Sequence, residues 1–172
     1  MNKVYNQTRL AQWGTKGREM GTYGGPYYAD QLWELRANDN HPGFYYIVNC
    51  YHTQHRLAKW GKGDEEVGAY EGHWYDDQLW KFERQPDGYF YISNLNYPDA
   101  RLAKWGHDDG AWGTYAGPKY PDQLWKLVPR FDTDMGFSVI WEADNRQGSE
   151  PFSQTVTVTK GFNSTTTHTV KV

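Results

Sequence analysis

Arg9-Leu10-Ala11-Gln12-Trp13-Gly14 recurs as Arg56-Leu57-Ala58-Lys59-Trp60-Gly61 and again as Arg101-Leu102-Ala103-Lys104-Trp105-Gly106, at offsets of 47 and 45 residues. Each copy continues through Gly-x-Tyr-x-Gly-x-x-Tyr to Asp-Gln-Leu-Trp, at Asp30 to Trp33, Asp77 to Trp80 and Asp122 to Trp125. Two copies open with strand-like runs, Gly43 to Asn49 and Gly88 to Asn94, and Val4-Tyr5-Asn6 is read as the remnant of that run in the first. Three units of about 45 residues therefore fill roughly residues 1–130, divided near 1–40, 41–86 and 87–130.

Within each unit, short β-branched or aromatic runs alternate with clusters of Gly, Pro, Asn and Asp, which is the pattern of short strands joined by turns. No stretch carries the 3.6-residue apolar period of a substantial helix, so the class is all-β. A period near 45 also fits propeller blades, but a propeller needs about four or more of them to close. Three copies fit a barrel closed about a three-fold axis, which leaves no free sheet edge. The expected fold is a β-trefoil.

Residues 131–172 break the repeat. Gly136 to Trp141 echoes the opening strand of a fourth unit, and Glu142 to Pro151 reads as a polar link. Ser153 to Lys160 alternates Thr and Val at period two, as a half-buried strand does. A turn at Gly161 to Ser164 and a returning strand from Thr165 to Val172 complete a β-hairpin extension. A lone hairpin is marginal in water, so it is expected to pack on the body, pair with another chain, or belong to something longer.

Composition narrows the function. Nine Trp, fourteen Tyr and seven Phe make 17% aromatics at a mean hydropathy of −0.92, too aromatic for a disordered chain. The formal net charge of −3 gives no basic excess for nucleic acid. No apolar run approaches the ~20 residues of a spanning helix, so a membrane is reached only indirectly or through a pore assembly. Cys50 is the single cysteine, which excludes an internal disulfide. With no signal-like apolar stretch at the start, the expectation is a cytoplasmic protein or one exported unconventionally.

No nucleophile elbow, phosphate-binding glycine loop or catalytic triad pattern is present. The repeated aspartates would lie about 120° apart around a three-fold axis, whereas a glycosidase needs two opposed across one cleft. Catalysis is not expected, nor any cofactor. Cys50-x-His52-x-x-His55 has metal-compatible spacing but occurs in one copy only, so no metal site is assigned.

Gln31-Leu32-Trp33, Gln78-Leu79-Trp80 and Gln123-Leu124-Trp125 are Gln-x-Trp motifs in register with the other repeated positions. Together with Tyr46-Ile47-Val48-Asn49 and the period, they make residues 1–130 resemble the ricin B-type β-trefoil lectins. The resemblance implies that Gln31, Trp33, Gln78, Trp80, Gln123 and Trp125 are structural. It also implies that the residue before each motif, here Asp30, Asp77 and Asp122, accepts hydrogen bonds from sugar hydroxyls. An aromatic platform about ten residues upstream corresponds to Tyr23, Tyr70 and Tyr115, with the ring covering the C–H face of a pyranose. Where the family places an Asp near the first strand, this chain has Gln12, Lys59 and Lys104, so the family's galactose preference does not carry over.

Arg9, Arg56 and Arg101 have two readings: pairing with a neighbouring unit's Asp at the three-fold seam, or standing with Lys59 and Lys104 beside the pocket to hold an acidic sugar. Tyr28, Tyr75 and Tyr120 are expected in the core or a lateral groove, and the unrepeated Trp74 and Trp112 as exposed adhesion points. The Ser/Thr-rich tail resembles the start of an aerolysin-like pore-forming module. The function implied is multivalent recognition of cell-surface glycans. The tail would then dimerise the chain or link it to an effector. The alternatives are the targeting part of a pore-forming toxin or defence protein, and a protein-interaction trefoil that binds no sugar.

Overall fold

A computed structural model describes residues 1–129 and the backbone of three later strands, Phe137–Glu142, Ser153–Lys160 and Ser164–Lys171. The chain divides into two compact units, Met1–Val128 and Pro129–Val172.

The first unit contains eleven strands and three single-turn 3-10 helices. The strands are β1 (Arg9–Gln12), β2 (Met20–Tyr23), β3 (Trp33–Ala37), β4 (Phe44–Asn49), β5 (His55–Lys59), β6 (Val67–Glu71), β7 (Leu79–Arg84), β8 (Phe90–Asn94), β9 (Ala100–Lys104), β10 (Trp112–Ala116) and β11 (Leu124–Trp125). Every repeat contributes one hairpin in the same register, with Arg9 opposite Tyr23, Arg56 opposite Tyr70 and Arg101 opposite Tyr115. The other strands form the barrel wall by antiparallel pairing of β3 with β4, β4 with β7, β7 with β8 and β8 with β11. A bridge between Asn2 and Trp125 brings the start of the chain onto β11. This is the expected β-trefoil.

The first repeat's opening strand is that bridge, not Val4-Tyr5-Asn6. Asn2 aligns with Asn49 and Asn94 at the repeat offsets, and all three are buried. Each side-chain oxygen accepts backbone N–H groups two or three residues on: from Val4 and Tyr5, from Tyr51 and His52, and from Asn96. Such a turn is what an Asn side chain favours at a strand end.

One core holds the three repeats together. Leu57 and Leu102, Ile47 and Ile92, and the rings of Trp80 and Trp125 lie inside, and Trp33 packs against them partly buried. Met20, Val67 and Trp112 occupy one repeated position. Trp112 is thus a core residue and not an exposed adhesion point, because β10 turns that position inward. All residues of β5 and β9 are buried. Alternation disappears there because the face opposite the core leucines, which carries Arg56 and Arg101, is covered by the loop whose carbonyls those side chains bind.

The loop after each first hairpin strand reaches the next repeat. The Gly17 carbonyl accepts from Ala69 N–H at 2.9 Å, Asp64 O from Thr114 N–H at 2.8 Å, and Asp109 O from Thr22 N–H at 2.9 Å. The series runs from repeat 1 to 2, 2 to 3 and 3 to 1, so the ring closes on itself.

In the second unit, Phe137–Glu142, Ser153–Lys160 and Ser164–Lys171 form an antiparallel three-stranded sheet in that order. The expected hairpin therefore carries a third strand, and Phe137–Glu142 pairs with it where the sequence suggested a fourth repeat. The polar link after Glu142, the turn at Gly161 and the side chains of these strands lie outside the described residues.

Candidate functional site

The Gln-x-Trp motifs build the platform on which the site stands. In each repeat the Trp indole N–H donates to the carbonyl of the hairpin Leu: Trp33 to Leu10 at 3.0 Å, Trp80 to Leu57 at 2.8 Å and Trp125 to Leu102 at 2.9 Å. Gln31, Gln78 and Gln123 each accept the guanidinium Nε–H of Arg9, Arg56 and Arg101 at 2.7 Å. Their amides donate to the carbonyls of Pro26, His73 and Pro118. The same guanidinium groups donate to Gly25, Gly72 and Gly117 carbonyls. The arginines thus pair within their own repeat, neither with a neighbour's Asp nor with an open pocket. Their geometry matches a fork of donors to a loop of carbonyls.

That bracing fixes the loop leading to Tyr28, Tyr75 and Tyr120 and then to the 3-10 turns Ala29–Gln31, Asp76–Gln78 and Pro121–Gln123. These tyrosines are about half exposed, so they are surface residues and not core fillers. Each meets the tyrosine of the hairpin at a tilted or edge-on angle: Tyr23 and Tyr28 at 5.7 Å between centroids, Tyr70 and Tyr75 at 6.0 Å, Tyr115 and Tyr120 at 5.9 Å.

The aspartates sit within the turns. Their backbone carbonyls accept from the opening Asn of the following repeat, Asp30 from Asn49 at 2.8 Å, Asp77 from Asn94 at 2.8 Å and Asp122 from Asn2 at 2.6 Å. The backbone is pinned, yet one carboxylate oxygen of Asp30, Asp77 and Asp122 is buried with no hydrogen-bond partner. Burial pushes the Asp77 and Asp122 carboxyls above the usual carboxylate range, and the neighbouring Asp76 adds to the effect at Asp77. An unpaired buried acceptor costs about 1–3 kcal/mol, so its recurrence in three repeats calls for a donor from outside.

Sequence reasoning passed over Trp13, Trp60 and Trp105. They are 52%, 39% and 42% exposed. A Cβ built on Gly21, Gly68 or Gly113 would meet the corresponding indole Cη2 at 2.6–2.8 Å, so each ring lies over a glycine that makes room for it. The signal was legible: an odd separation from the core-facing Leu sends the Trp to the opposite face of the strand. In repeat 3, Trp105, Tyr115, Tyr120 and Asp122 line a pocket of ≈ 360 Å³ together with Asp64 from repeat 2. In repeat 1, Trp13, Tyr28 and Asp30 line one of ≈ 270 Å³ with Tyr51 and His52 from repeat 2.

Lys59 and Lys104, expected beside the pocket, are 0% and 1% exposed. Their ammonium groups donate to the carbonyls of Gly63 and Asp108, and burial lowers both pKa values. Each lies 5.2 Å from a ring of the next repeat, Tyr97 or Tyr5. They brace the loop and leave no ammonium free for an acidic sugar. Trp74 is exposed, as expected, and covers the Arg56 guanidinium at 4.1 Å. Among the described residues no group of three or more His, Cys, Asp or Glu could hold a metal ion, and no helix is long and apolar enough to cross a membrane.

The profile of the ricin-type β-trefoil lectin domain-like family matches residues 29–117. No curated protein matches the chain. The solved structures similar in fold include the following three. The BEL β-trefoil is 24% identical with a TM-score of 0.59, over 70% of this chain and 88% of that one. SeviL, solved with the asialo-GM1 saccharide, is 21% identical with a TM-score of 0.53, over 73% of this chain and 98% of that one. A mosquitocidal holotoxin is 13% identical with a TM-score of 0.69, and the match takes in 99% of this chain but 21% of the toxin.

Proposed function

Because the chain belongs to the ricin-type β-trefoil lectin domain-like family, we propose that its first unit binds glycans at up to three pseudo-equivalent sites. The sites are Trp13, Tyr23, Tyr28 and Asp30; Trp60, Tyr70, Tyr75 and Asp77; and Trp105, Tyr115, Tyr120 and Asp122. The observation that carries this reading is the buried, unpartnered oxygen of Asp30, Asp77 and Asp122, with Asp30 and Asp122 lining pockets that exposed aromatic rings also line. A pyranose supplies the complement of both. Its hydroxyls donate to the carboxylate and its C–H face covers an indole or phenol.

The chemistry is recognition alone. Asp30, Asp77 and Asp122 belong to separate repeats, so none of the three stands across a bound sugar from another as a hydrolytic pair would. Shallow pockets bind weakly one at a time, and simultaneous engagement of a glycan-coated surface raises the overall affinity by orders of magnitude.

A glycan array probed with the folded chain tests this. Binding to a related set of glycans is expected, with loss at one site in Trp105→Ala and Asp122→Asn. A folded chain that ignores every glycan would leave the trefoil as a protein-binding scaffold and sink the reading.

A second reading concerns the tail. The fold likeness to the holotoxin runs along nearly the whole chain. In this reading the trefoil targets a longer effector, of the aerolysin-like kind, to glycan-bearing membranes. Dye leakage from glycolipid vesicles by a longer parent, and none by this chain, is the expected result.

A further inference from the structure

The three sites differ at one buried position. Where repeats 2 and 3 have Lys59 and Lys104, repeat 1 has Gln12. At two seams between repeats an ammonium fills the space, donating to the loop carbonyl of Gly63 or Asp108 with an aromatic ring of the following repeat about 5 Å away. Gln12 is one heavy atom shorter in reach and donates instead to the nearer Gly14 carbonyl at 2.9 Å. That bond fixes the amide, because turning it over would set two carbonyl oxygens against each other. Its oxygen is left buried, at 0% exposure of the residue, with no hydrogen-bond partner.

Gln12 lines the ≈ 270 Å³ pocket together with Asp30, whose own buried oxygen also lacks a partner. The aromatic wall is supplied by Tyr51, exposed at 66%, and by His52 packed edge-on against it at 4.9 Å. This seam therefore presents two unpaired acceptors, one of them a carboxylate, and an aromatic wall, but no ammonium of its own.

We propose that the seam between repeats 1 and 2 binds the primary ammonium of an amino sugar, placed as the Lys59 and Lys104 ammonium groups are placed in the other two seams. An –NH₃⁺ brings three donors on one compact charge, which suits Gln12 Oε1 and the Asp30 carboxylate, with His52 at the repeat position that Tyr97 and Tyr5 hold in the other two seams. An N-acetylated amine has one donor and no charge, so it satisfies one acceptor and leaves the other bare. The proposal rests on the glycan reading and adds to it a ligand class for repeat 1: glycans carrying a free amine.

The test is titration of the whole chain with glucosamine tetramer and with N-acetylglucosamine tetramer at neutral pH, in wild type and in Gln12→Lys. The variant restores the side chain already accommodated at positions 59 and 104, so it is expected to fold with an unchanged melting temperature. Wild type should bind the free-amine probe at least tenfold more tightly, and Gln12→Lys should lose that preference while its array binding through repeats 2 and 3 persists. Array binding without any preference for the free amine overturns the seam proposal and leaves the glycan reading standing. A preference that survives Gln12→Lys places the amine elsewhere and also overturns it. No glycan bound at all overturns both.

Discussion

Replacing Gly113 by Ala tests the closure of the ring and the seating of the site together. The added Cβ would stand 2.4 Å from the Asp64 carbonyl oxygen and 2.6 Å from Cη2 of Trp105, each about an ångström inside ordinary contact. The carbonyl belongs to the neighbouring repeat and accepts from Thr114 twice, at 2.8 Å from the backbone N–H and 3.3 Å from the hydroxyl. Moving it forfeits two hydrogen bonds of ~1 kcal/mol each, lessened if one survives in relaxed form. Residual overpacking adds ~1–3 kcal/mol, so the net loss is about 2–4 kcal/mol. For a unit of about 130 residues, with an unfolding entropy near 2 cal/mol/K per residue, that is a fall in melting temperature of about 7–15 °C. Circular dichroism melts of wild type, Gly113→Ala and Gly110→Ala measure it. Gly110 lies in the turn just before β10, but nothing stands within 4 Å of the Cβ it would gain. Its variant should melt within about 2 °C of wild type. Equal melting of all three proteins would refute the argument that the loop carbonyl and the Trp ring leave no room at position 113.

Gln78→Ala removes the acceptor 2.7 Å from Nε of the buried Arg56 and should cost about 2–3 kcal/mol, read as a lower midpoint in urea with an unchanged slope. Asp77→Asn with Asp122→Asn should weaken glycan binding about tenfold at each altered site by calorimetry. The same pair tests the electrostatics. Both carboxyls hold their protons more tightly folded than unfolded. Their contribution to stability is fully present below the unfolded pKa and is lost as pH rises through the raised folded value. At neutral pH the double variant should therefore melt no lower than wild type, with its advantage shrinking in acid, as melts across that range will show. Glycan affinity of the wild type should fall as pH drops through the same window, because a protonated carboxyl gives up acceptor capacity.

Much of the architecture was legible along the chain. Three copies of Arg-Leu-Ala-x-Trp-Gly and of Asp-Gln-Leu-Trp at matching offsets specify three like units, and short runs broken by Gly, Pro and Asn specify strands. The pairing of Arg9 with Gln31 was not read, although the two are twenty-two residues apart and their counterparts keep that spacing. The aspartates and hairpin tyrosines could be named from their place before the motif.

What the sequence left open lies between repeats. Period-two alternation puts Lys59 and Lys104 on the face of Leu57 and Leu102, but does not tell that the loop following the strand will take their ammonium groups beside a ring of the next repeat. Hence Lys59 and Lys104 read as surface cations, although their ammonium groups are folded under a loop. Trp112 read as exposed, although it shares an inward position with Met20 and Val67. Asn2 passed unremarked because its partner, Asp122, is 120 residues away. The sequence by itself determined how many units there are and what each one looks like, because those contacts are local and repeat with the chain. The tertiary structure alone decided which carboxylate oxygens are buried without partners and which seam lacks an ammonium. Both depend on what a different repeat brings alongside, and no local pattern records that.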